Sequence, residues 1–152
     1  MKMKPRKWVI ALAAILVLFG LYNLIWYAVV WGKYEKFVEG MRELYYHRTY
    51  VIDELDGYTY NVKIPNYLSF TGNLGIQRTQ DANCALIVWP KIFKETEYGV
   101  ILKDESGRNY AIELTSDAEP AKSTSTEGRR LVAKYSAEID ELFDRASRQW
   151  HY

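Results

Sequence analysis

Two histidines, one cysteine and a few short acidic runs are all that this 152-residue sequence offers toward chemistry at neutral pH. Histidine is the side chain whose ordinary pKa suits proton transfer in that range. His47 sits where a helical pattern stops, and its cation favours the negative end of a helix dipole. His151 is the penultimate residue. Cys84 stands alone, so no internal disulfide and no zinc-ligand spacing can be drawn. It opens the apolar run Cys-Ala-Leu-Ile-Val-Trp at residues 84–89 and reads as a small buried hydrophobe. The run Asp53-Glu54-Leu55-Asp56-Gly57 has the composition of a calcium loop but lacks its alternating acids and its distant glutamate, so a turn explains it better. Asp104-Glu105 falls on a polar tip between two apolar stretches. Ser123 and Ser125 precede a helical pattern, and neither a Gly-x-Ser-x-Gly elbow nor a phosphate-cradling glycine loop is present. The expectation is a protein that is not an enzyme, with no cofactor and no metal.

What must position any site begins with residues 8–31, WVIALAAILVLFGLYNLIWYAVVW, which carry no charge and one amide, Asn23. About 24 residues at 1.5 Å each make a helix roughly 36 Å long, enough to cross a hydrocarbon core of about 30 Å. Trp8 at one end and Trp26, Tyr27, Trp31 and Tyr34 at the other match the aromatic belts of a membrane interface. Asn23 asks for a hydrogen-bond partner, either a second anchor or interfacial water. The run exceeds the 7–15 apolar residues of a cleavable signal, and bulky residues fill its far end, so the expectation is an uncleaved signal anchor. Lys2, Lys4, Arg6 and Lys7 crowd a leader of seven residues that has no acid. The positive-inside rule then puts the leader in the cytoplasm and the C-terminal domain outside, at the plasma (inner) membrane. The remaining Lys and Arg are outnumbered by the 19 acids, leaving that domain near −3. A mildly acidic domain without a basic stripe argues against nucleic acid.

The domain reads as α+β. Tyr34, Phe37, Val38, Met41, Leu44 and Tyr45 recur at helical spacing, predicting a juxtamembrane amphipathic helix over 32–48 that continues the anchor. The period then changes to two, predicting an antiparallel sheet of five to six strands over 49–115. Residues 50–55 fit either a strand or a continuation of the helix, and the Val51-Ile52 pair with the Asp56-Gly57 turn favours the strand. Gly72 and Gly75 suggest a bulge or a close backbone contact. A linker loop over 116–126 ends in Thr124 and Glu127, spaced as a capping box. Leu131, Val132, Tyr135, Ile139, Leu142, Phe143, Ala146 and Trp150 then trace a C-terminal amphipathic helix over 127–150, packed on the sheet.

In outline, a long N-terminal helix half in lipid followed by an antiparallel sheet resembles type IV pilins. The leader Met1-Lys2-Met3-Lys4-Pro5-Arg6-Lys7 has no glycine-ending cleavage site, and no glutamate follows in the apolar run, so only the architecture is shared. Thirteen tyrosines and five tryptophans are the unusual feature of the composition. Tyr45, Tyr46, Tyr50 and Tyr67 form the candidate partner surface, because such side chains favour interfaces. The expected function is a non-catalytic interaction or accessory subunit of a cell-envelope assembly, whose partners are the lipid bilayer and an envelope protein or a second copy. An extracytoplasmic small-ligand-binding or sensory module is the first alternative. An envelope enzyme using the carboxylates of Asp53, Glu54 and Asp104 is the second.

Overall fold

The computed structural model describes residues 7–44 and 48–151. Helix α1 (Lys7–Tyr34) is followed by one 3₁₀ turn, Glu35–Phe37. Seven strands come next: β1 (Arg42–Leu44), β2 (Thr49–Leu55), β3 (Tyr58–Lys63), β4 (Asn73–Arg78), β5 (Cys84–Trp89), β6 (Glu97–Lys103) and β7 (Asn109–Leu114). Two helices close the chain, α2 (Thr126–Lys134) and α3 (Ser136–Trp150). The strands form one antiparallel meander in sequence order. The α+β class is as expected, with a sheet slightly larger than the five to six strands anticipated.

Alternation fixes which side of the sheet is dry. Registered partners place Ile52, Tyr60, Ile76, Leu86, Val100 and Ile112 in one row across six strands. Val62, Leu74, Val88, Tyr98 and Leu114 form the next. Because cross-strand partners share a face, these rows make one apolar surface. Leu131, Val132, Ile139, Leu142, Ala146 and Trp150 of α2 and α3 join it in a single core with Val30, Tyr34 and Phe37. Burying a side chain such as Phe37 contributes about 1.5–3 kcal/mol. Cys84 lies in this core, fully buried, and burial pushes its thiol up to about 12, so it acts as a hydrophobe.

Three expectations change. The amphipathic helix over 32–48 ends early: α1 stops at Tyr34, the 3₁₀ turn reaches Phe37, and Gly40 takes a positive φ before β1 begins. The stripe Tyr34, Phe37, Val38 and Met41 does pack on the core, but a tight turn delivers it as well as a helix does. Residues 50–55 are strand, closed by Asp56 and Gly57, both at positive φ as a two-residue hairpin turn requires. The single C-terminal helix is broken at Tyr135, whose backbone leaves helical geometry while its hydroxyl donates to the Lys103 carbonyl. The cap of α2 is Ser125 rather than Thr124. Its hydroxyl accepts from the Gly128 amide, and Glu127 turns to Arg130.

Candidate functional site: the open sheet face

Among the described residues no helix lies over the other face of the sheet. Its central row runs Val51, Asn61, Gly75, Ile87, Gly99, Glu113, and the next runs Gln77, Ala85, Ile101, Ala111. Glycine and alanine occupy four of these ten positions, so larger neighbours fold over vacant floor. A Cβ on Gly99 would stand 3.0 Å from the Trp89 ring, which lies across that position. The outcome is a groove of about 560 Å³ lined by Ile87, Trp89, Gly99, Ile101, Ala111 and Glu113. The ion pair of Lys91 with Glu97 closes one end beside Thr71. An apolar floor with one large aromatic and a charged rim has the anatomy of a binding surface.

The acids singled out from sequence lie elsewhere and have local work. Asp53 pairs with Arg42 across β1 and β2 at 2.7 Å, in solvent. Glu54 is exposed on β2. Asp104 accepts from the Ser106 hydroxyl and amide and the Arg108 amide, contacts that hold its carboxyl below the usual range and tie the β6–β7 turn together. The strongest electrostatic cluster gathers on Arg78, which reaches Glu141 at 2.9 Å and Glu138 at 3.7 Å. Burial raises Glu138. Hydrogen bonding with Tyr58 lowers Glu141, helped by Arg145 and Arg78. Arg145 also stands 3.8 Å from the Tyr58 ring centre, so this cluster braces α3 against β3 and β4. Among the described residues no group of three or more His, Cys, Asp and Glu could hold a metal ion.

The residues assigned to the anchor divide into two sets. Trp8 and Tyr27 are exposed, and Tyr27 stacks on half-buried Trp31 with ring centres 6.3 Å apart. Trp26 and Tyr34 are instead inside the protein. The Trp26 indole donates to the Ser69 carbonyl at 2.8 Å. The Tyr34 hydroxyl donates to the Pro90 carbonyl at 2.9 Å and accepts from the Gly72 amide at 2.7 Å. Gly72 permits this approach, since a Cβ there would stand 2.1 Å from the Lys63 carbonyl oxygen and 2.9 Å from the Tyr34 ring. Asn23 finds its partner in its own chain: its side-chain oxygen accepts from the Tyr67 hydroxyl at 2.6 Å, and its amide donates to the Phe19 carbonyl. Of the candidate partner surface, Tyr67 is exposed beside α1, and Tyr50 is half-buried on the covered face. Tyr45 and Tyr46, like His47, lie outside the described residues.

Trp89, Ile87 and Ile101 were not singled out from the sequence. The unbroken apolar run 84–89 suggests a central strand, which β5 is, but carries no sign that only Cys84, Leu86 and Val88 are buried while Ala85, Ile87 and Trp89 face the open side. The signal that could have found the groove is the glycine or alanine at 75, 85, 99 and 111, each on a strand and each opposite the apolar alternation. α1 is long and apolar enough to cross a membrane. Comparison with protein-family models, with curated proteins and with solved structures finds no match to this chain.

Proposed function

We propose that this chain is a single-pass membrane-anchored protein whose C-terminal domain stands outside the cytoplasm as a non-catalytic accessory subunit of an envelope assembly. The groove on its open sheet face holds an apolar segment of a partner protein. One observation carries this reading: Trp89, Ile87 and Ile101 form an apolar surface that no helix among the described residues covers, while the rows of the opposite face are buried or half-buried under α2, α3 and the end of α1. A large aromatic side chain beside a small-residue trough, rimmed by charge, suits an anchoring side chain better than it suits a reaction. The basic leader supports the orientation, and the length of α1 supports the anchor.

A photo-reactive side chain at Ile101 or Glu113, in cells carrying the full chain, tests it. A discrete protein adduct is expected, absent when the same group stands at Glu105 on the exposed β6–β7 turn. Equal labelling at all three positions, or none, counts against a partner in the groove. A second reading has support of its own, because about 560 Å³ is also the size of small-ligand sites. A small apolar compound that raises the melting temperature and competes with the adduct would favour it.

A further inference from the structure

We propose that the turn at residues 66–69, together with Phe93, forms a second lipid contact that dips into the headgroup–acyl boundary beside α1. This rests on the membrane-anchor reading above. The loop between β3 and β4 runs alongside α1, with Tyr67 bonded to Asn23, Ser69 to Trp26 and Gly72 to Tyr34. Its tip is therefore its deepest point, level with Asn23. Trp8 to Asn23 is about 23 Å of helix, less than the roughly 30 Å of a hydrocarbon core. The opposite flank of α1 gives the same level independently. Leu24 and Ile25 are 67% and 62% exposed there, and on the anchor reading a lipid core covers them. Lipid at that height on one flank is lipid at that height on the other, where the tip sits.

The tip is built for such a place. Leu68 holds a bulky side chain 54% exposed at φ +66, a left-handed conformation that a leucine rarely adopts. Phe93, 74% exposed, comes from the β5–β6 connection, which leaves the sheet at the same end, and packs at a tilt against Phe70 with ring centres 5.4 Å apart. Apolar tips of this kind stabilise by the area they bring out of water, and the nearby Arg48, over the Trp26 ring, is a cation suited to headgroup phosphate.

The test uses the full chain in phosphatidylcholine vesicles, with single nitroxide labels at Leu68→Cys, Phe93→Cys, Ile15→Cys and Glu105→Cys. The buried thiol of Cys84 leaves the unsubstituted chain as the background. Power saturation reads the ratio of oxygen to nickel-chelate accessibility at each label. A ratio at Leu68 and Phe93 several-fold above that at Glu105, and between Glu105 and Ile15, is expected. If Ile15 reads as lipid while Leu68 and Phe93 match Glu105, the second contact is overturned and the anchor stands. If Ile15 also matches Glu105, the anchor itself falls and the contact falls with it. Phe93 guards against a local change at strained Leu68, because its own label reads the same depth from a separate loop.

Discussion

The two faces of one sheet have been given opposite tasks. On β5, Leu86 points into the core and is fully buried, while Ile87, one residue on, points to the open side and is half-buried. The covered face is filled by tyrosines and branched aliphatics that meet α2, α3 and the end of α1. The open face alternates glycine and alanine with a few large side chains and is left as a trough. The strands are the same and so are the backbone ladders, so stability and the proposed recognition separate by parity of residue number alone. Covered positions specify the fold, and uncovered ones are free to specify a partner.

The most forceful way to break this contrast is to truncate the two neighbours. Leu86→Ala leaves a cavity in a packed core and is expected to cost about 2–5 kcal/mol in urea unfolding of the full chain in detergent. Ile87→Ala is expected to cost less than half as much. Equal losses would mean that the open face is covered in the folded protein. Next in size is Tyr34→Phe, which removes one hydroxyl and strands the Gly72 amide and the Pro90 carbonyl. A loss of about 1–3 kcal/mol by the same measurement extends the covered region to the helix junction. No loss would confine it to the sheet.

Gly99→Val fills the trough from below and pushes on the Trp89 ring. It is expected to change stability by about 1 kcal/mol or less while abolishing the adduct at Ile101. An undiminished adduct would move recognition off this face. The smallest effect is electrostatic and belongs to the covered side. Glu141 has a folded pKa below its unfolded value, so its contribution is present above the unfolded pKa and disappears as pH falls through the folded one. Glu138 has a folded pKa above its unfolded value, so its contribution is present at low pH and is lost as pH rises through the folded one. Glu141→Gln should therefore destabilise at pH 7, by no more than about 1 kcal/mol for so exposed a pair, and match the wild type in acid. Glu138→Gln should be neutral or stabilising at pH 7. The reverse pattern would remove the brace assigned to Arg78.

The sequence made the covered face legible because its signal is periodic. Tyr58, Tyr60, Val62 and Ile64 alternate cleanly, and so do Val100, Leu102, Ile112 and Leu114. The helix over 32–48 misled because Tyr34, Phe37, Val38 and Met41 satisfy a helical stripe whether the chain is helical or makes one tight turn and reverses at Gly40. β1 escaped notice because Arg42, Glu43 and Leu44 are all exposed and so carry no alternation. The groove was hidden for a different reason. The open face carries apolar residues at positions where polar ones are expected, and in Cys84–Trp89 that erases the very alternation that would reveal the two faces. Asn23 was legible as a residue in need of a partner, but the partner is 44 positions away on a loop.

The single hydroxyl of Tyr34 clasps the β3–β4 and β5–β6 connections to the end of α1, and that joint gives the molecule a compass bearing. On the proposed membrane-anchor reading, a domain gripped in this way would hold its trough at one heading relative to the lipid plane. On that same reading a partner in the bilayer would need only to rotate to meet it, whereas one arriving from the surrounding fluid would have to approach from a single quarter.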